Sequence, residues 1–140
     1  MTKVSFYILA EESLEARARF AVKFVRQSFR KGLDVHCHVA SASEAEALDQ
    51  LLWDDEESFI PHEVEQDDSP KAPVGIGWQN PTDRHGVLVN LGGELPPWCS
   101  HFDHLVEIVV QQPKVLDTTR NTWKQLKFDG YPITQHDLRK

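Results

Sequence analysis

His36 and His38 are separated by one residue in a stretch where Val35, Cys37 and Val39 alternate with them. In a strand, that spacing puts both imidazoles on one face, about 7 Å apart. Two neutral imidazoles are half of a zinc site, and His62 or an acid of the following stretch could complete it, which would make the chain a metal-dependent hydrolase. The same alternation also describes two polar side chains on an exposed or loop-covered strand face. Cys99, His101 and His104 form a looser cluster whose spacing matches no established zinc module. A Cys/His nucleophile pair cannot be derived from it without geometry.

Gly75 with Gly77, and Gly92 with Gly93, are the places to look for a phosphate loop. The first pair lies inside an apolar run, and no lysine follows the second, so both read as backbone devices. A dinucleotide site would need glycines at the first strand-to-helix turn. There the sequence is Leu9-Ala10-Glu11-Glu12-Ser13, without glycine and with two carboxylates that would repel a phosphate. No cofactor and no catalytic residue is expected from these motifs.

Two further groups suggest binding. Towards the C-terminus Arg120, Lys124 and Lys127 fall within roughly 60° of one another on a helix, with Trp123 on the adjoining edge. Such a stripe can pair with a carboxylate or phosphate while an apolar group packs on the tryptophan, or it can be a solvated face. In the middle, Trp53 ends a helical pattern, and the segment Glu57-Ser58-Phe59-Ile60-Pro61-His62 follows an acidic turn. Trp53 and Phe59 have the composition of an interface anchor, and equally of core filling.

The elements that must hold these residues can be read from periodicity and punctuation. Val4 to Leu9 reads as a buried strand. Ser13 caps a helix with apolar positions Leu14, Ala18, Ala21, Val22, Val25 and Phe29, stopped at Lys31-Gly32. Asp34 to Ala40 is a second strand, and Ser41 with Glu44 forms a capping box for a helix ending at Trp53. Asp54 to Glu57 reads as an acidic turn, Phe59 to His62 as extended because Ile60 precedes proline, and Glu63 to Pro73 as a polar loop with two prolines. Val74–Trp78, Gly86–Leu91 and His104–Val110 are three more strands, with a short helix over Trp98–Asp103 and a last helix from about Lys114 to Asp129, stopped by Gly130 and Pro132. The βαβα rhythm is that of a single-domain α/β protein over residues 1–140, with a mostly parallel five-stranded sheet between flanking helices.

Net charge is −7, and it is segregated. Residues 1–31 carry +4, residues 32–70 carry −12 with no Lys or Arg, and residues 114–140 carry +3. The acidic block disfavours direct, high-affinity nucleic-acid binding or an anionic membrane surface, whereas the C-terminal bases leave room for an acidic peptide. No apolar run approaches the roughly 20 residues of a membrane helix, and the N-terminus lacks signal-peptide flanks. Two cysteines without CxxC spacing read as free thiols of a cytoplasmic protein.

Taken in order, the opening Val4–Leu9 strand, Leu48-Asp49-x-x-Leu52-Trp53, Glu57–His62, Ala72-Pro73-Val74 leading to Trp78, and Arg120-x-x-Trp123-Lys124 resemble the chi subunit family of bacterial DNA polymerase III. The resemblance covers almost the whole chain. It implies a Rossmann-like three-layer fold without a nucleotide site, and a non-catalytic accessory subunit of the clamp loader within the polymerase holoenzyme. It further implies two partner surfaces. Residues matching the psi-subunit contact are Trp53, Phe59 and Pro61, and a helicase is a further candidate partner for the Trp53 surface. Residues matching the site for the C-terminal tail of single-stranded DNA-binding protein are Arg120, Trp123 and Lys124, with Lys127 beside them. Trp123 stands where the family pattern has tyrosine, and the turn after Trp53 is shorter and more acidic than that pattern.

Overall fold

In a computed structural model, which describes residues 2–54, 62–64, 73–79 and 84–139, every strand pairing is parallel. In chain order the elements are β1 (Lys3–Ile8), α1 (Leu14–Arg30), β2 (Val35–His38), α2 (Ala42–Trp53), β3 (His62–Val64), β4 (Val74–Gly77), β5 (Val87–Asn90), a 3-10 turn (Cys99–His101), β6 (His104–Val109), α3 (Pro113–Phe128) and β7 (Ile133–Asp137). The sheet order is β3-β4-β2-β5-β6-β1-β7. The α/β three-layer reading holds, with two corrections: the sheet is wholly parallel, and it has seven strands among the described residues rather than five. The additional strands are the two edges. β3 spans three residues, and β7 has only Ile133 as an aliphatic residue, so neither carries the apolar run by which a central strand is read.

Helix ends follow the side chains that can satisfy them. Ser13 Oγ accepts from Ala16 N–H at 3.1 Å. Ser41 Oγ accepts from Glu44 N–H at 3.3 Å while Glu44 Oε2 reaches back to Ala40 N–H at 3.2 Å, the reciprocal arrangement of a capping box. Gln112 caps α3 through Oε1 and Val115 N–H at 3.1 Å, with Pro113 in the first helical position, where a missing N–H costs nothing. Gly32 and Gly130, at φ +78° and +84°, end α1 and α3 in the left-handed conformation that a Cβ disfavours.

Alternation along the strands builds two cores. Val35, Cys37 and Val39 of the β2 region, with Val87, Val89, Val106 and Ile108, pack under Ala21, Val22 and Val25 of α1 and Ala45, Leu48 and Leu52 of α2. The opposite face, with Val4, Phe6, Leu88, Leu105 and Val109, is covered by Leu126 of α3 and by Cys99 and Phe102 of the segment before β6. Each fully buried Leu or Val contributes about 1.5–3 kcal/mol of apolar transfer, so both layers are held by the sheet they share. Among the described residues no helix is long and apolar enough to cross a membrane.

Candidate functional site: a basic-rimmed groove beside the last helix

A cavity of about 360 Å³ lies between α3 and the β6-β1-β7 end of the sheet. Its floor is apolar, made by Phe6 and Ile8 of β1, Val109 of β6, and Leu116 and Trp123 of α3. Its rim is basic: Arg120 and Lys124 stand on α3, and Arg139 follows β7 on the far side. Helical geometry explains the arrangement. Thr122 and Leu126 turn into the core, Trp123 is half-buried at the edge, and Arg120, Lys124 and Lys127 are left in solvent.

Among the described residues Arg120 is tied to Asp117, at 3.4 Å and in an exposed pair that contributes little, so its guanidinium is cheaply redirected to another anion. Lys127 does not line this cavity. Its ammonium lies over the Trp123 ring at 4.7 Å from the centroid, and with Trp123, Tyr131 and Ile133 it borders a neighbouring depression. Trp123 therefore forms a wall between the two. Arg139 was not singled out by spacing, since it lies outside any periodic element. Its fork grips Asp137 at 2.9 Å (Nε to Oδ1) and 2.8 Å (Nη2 to Oδ2), and these hydrogen bonds hold the Asp137 carboxyl down to about 2.

Trp53, at the end of α2, is 55% exposed, whereas its neighbour Leu52 is 2% exposed. The indole lies 4.7 Å from the His62 ring, and His62 Nε2 is 3.0 Å from Asp49 Oδ1. Phe59 and Pro61 lie outside the described residues. Trp53 is carried on the helix over the Cys37 face, and Arg120, Trp123 and Lys124 are on the helix over the other, so the two groups remain separate surfaces.

The histidine pair is brought together, with ring centroids 6.1 Å apart, but among aromatic rings. Trp98 stands edge-on to both, at 5.7 Å from His36 and 5.1 Å from His38. His62, the third ligand that a zinc site would have used, packs instead against α2 through Asp49 and Trp53. Among the described residues no group of three or more His, Cys, Asp or Glu side chains is placed to hold a metal ion. Burial, with His36 as a secondary cause, pushes His38 down to about 4. Cys99 is buried, with its thiol raised chiefly by that burial, and His104 bonds Ser5 Oγ at 2.8 Å, so the second cluster is spread over separate contacts.

A parallel α/β domain with a glycine-free first turn and a basic-rimmed apolar groove is a nucleotide-type scaffold without the glycine fingerprint of a nucleotide site. The family described as DNA polymerase III chi subunit, HolC, matches residues 1–134. A protein of Pseudomonas aeruginosa named DNA polymerase III subunit chi is 32% identical over 140 residues, covering 99% of this chain and 98% of its own length. One of the same name from Haemophilus influenzae is 25% identical over 137 residues, covering 95% of each chain. The chain belongs to the DNA polymerase III chi subunit family.

Proposed function

We propose that this replication accessory subunit is a non-catalytic bridge in the cytoplasm, holding the clamp loader to coated single-stranded DNA. In this reading the psi subunit is bound through Trp53, Phe59 and Pro61. The C-terminal tail of single-stranded DNA-binding protein, acidic and ending in an aromatic residue, lies in the groove beside α3. The observation that carries the reading is the groove's construction: an apolar floor that takes a ring, rimmed by Arg120 and Lys124, which can pair with carboxylates, while Arg139 on the far side is held by Asp137. Each contact is individually modest, and the bridge works by raising the effective concentration of one assembly at the other.

Fluorescence anisotropy with a labelled acidic peptide ending in phenylalanine tests the groove. Arg120→Ala and Lys124→Glu each weaken binding by about tenfold or more in low salt, with a smaller difference at high salt, and Trp53→Ala leaves it unchanged. Equal affinity of wild type and Lys124→Glu would overturn the assignment.

A further inference from the structure

Glu107 has no part in the groove, yet it is 6% exposed, on β6. It borders a separate cavity of about 250 Å³ outside the carboxyl ends of β5 and β6. That cavity exists because two connections part there. From β1 the chain crosses one face through α1 to β2, and from the adjacent β6 it crosses the other face through α3 to β7. Crevices left by such a parting, outside the strand ends, are where open parallel sheets bind small molecules.

The carboxyl group is held in place rather than merely tolerated. Asn90 Nδ2 donates to Glu107 Oε2 at 2.8 Å, and Asn90 is itself fixed by Gly92 N–H, which donates to its Oδ1 at 3.2 Å. An apolar side chain would pack this strand without the cost of burying an acid. Arg17 enters the same cavity from α1, and its Nη2 donates to Leu91 O at 3.0 Å, which orients the guanidinium. Burial pushes Glu107 up to about 8, so near pH 7 it is mainly the neutral acid; with Oε2 accepting from Asn90, the proton belongs on Oε1. The interior thus offers donors, from the Arg17 fork and the Glu107 hydroxyl, to an anion.

Charge and shape narrow the class. Arg17 is the half-buried cation, while Lys114 and Glu44, both exposed at the rim, offset each other, which suits a single negative charge. The planar fork suits a carboxylate. Arg17, Leu14, Glu44 and Leu91 also border an adjoining cavity of about 120 Å³ between α1 and α2, closed by Val39, Ala47, Leu48 and Leu51 and mostly apolar. We propose that this crevice binds a small monocarboxylic acid with an apolar body: its carboxylate pairs with Arg17 within reach of Glu107, and its body lies in the adjoining cavity between α1 and α2.

Proton–nitrogen NMR titration of the full chain with hexanoate, benzoate, hexanol and inorganic phosphate tests this. The expected result is saturable shifts at Arg17, Leu51, Gly93 and Glu107 with an acid at concentrations up to about 10 mM, and none with hexanol or phosphate. Arg17→Met weakens the acid by about tenfold or more, and Glu107→Gln, which keeps a donor and the Asn90 bond, does not. Ala47→Phe, at an exposed helical position, fills the apolar cavity and weakens hexanoate without touching Arg17. No saturable shift with either acid, acid affinity unchanged in both Arg17→Met and Ala47→Phe, or saturable phosphate binding in place of the acids would each overturn the proposal.

Discussion

Asn90 and Glu107 are register partners on adjacent parallel strands, and the Asn90 amide donates to Glu107 Oε2 at 2.8 Å between two buried side chains. Burial of the Glu107 carboxyl, which outweighs the lowering effect of the Asn90 bond, makes stability depend on pH in a direction opposite to that of most paired carboxylates. The unfolded chain loses the Glu107 proton near the ordinary value of 4.5, while the folded chain keeps it until about 8. The contribution is therefore fully present below 4.5 and is lost as pH rises through 8. Glu107→Gln, which preserves the Asn90 bond, matches wild type at pH 4 and exceeds it at pH 8 by on the order of a few kcal/mol, read by urea denaturation at both values.

His38 has the opposite sign. Its Nδ1 is buried without a hydrogen-bond partner among the described residues, and burial lowers its folded value from 6.5 to about 4. Stability is fully present above 6.5 and falls as pH drops towards 4, because the unfolded chain takes up the proton first. His38→Leu removes part of this acid sensitivity, about 1–2 kcal/mol once partial solvent exposure is allowed for, and thermal melts of both proteins at pH 7 and pH 5 measure the difference.

Gly86 enters β5 against the backbone of Asp34, whose Oδ2 accepts from the Gly86 and His85 N–H groups at 3.3 and 3.1 Å. A Cβ at position 86 would lie 2.4 Å from the Asp34 carbonyl oxygen, and backbone cannot move aside as a side chain can. Gly86→Ala costs about 1–3 kcal/mol in denaturant unfolding, with the peptide affinity of the folded fraction unchanged.

Leu52 and Trp53 are adjacent on α2, but one is buried and the other largely in solvent. Leu52→Ala costs about 2–5 kcal/mol, whereas Trp53→Ala costs under about 1 kcal/mol. In a pull-down from lysate, Trp53→Ala loses partners held through that surface and keeps those held by the groove beside α3; loss of neither would reject Trp53 as an anchor.

Local signals were legible and non-local ones were not. Ser13, the Ser41–Glu44 box and Gly130 mark helix ends because capping depends on neighbours a few residues away. The basic stripe of Arg120, Lys124 and Lys127 is likewise visible from helical spacing alone. Arg139 joins that rim only because β7 pairs beside β1, and nothing in its immediate sequence says so. Glu107 reads as the polar position of an otherwise β-branched strand, and its meaning depends on register with a residue 17 positions earlier. His36 and His38 share a face as their spacing requires, but the rings that surround them arrive from residues 98 and 102.

The position of β1 constrains how the chain can be made. Of the described strands it is the first to leave a ribosome, yet it lies inside the sheet, between β6, which it meets in the register Lys3 to His104, and β7, which it meets in the register Val4 to Ile133. At ordinary synthesis rates its first partner emerges on the order of ten seconds later. Until then β1 has no lateral hydrogen bonds from either of its partners in the sheet. The groove beside α3, which β1 floors with Phe6 and Ile8, therefore joins the two ends of the described chain and cannot form before β6 and α3 have been made.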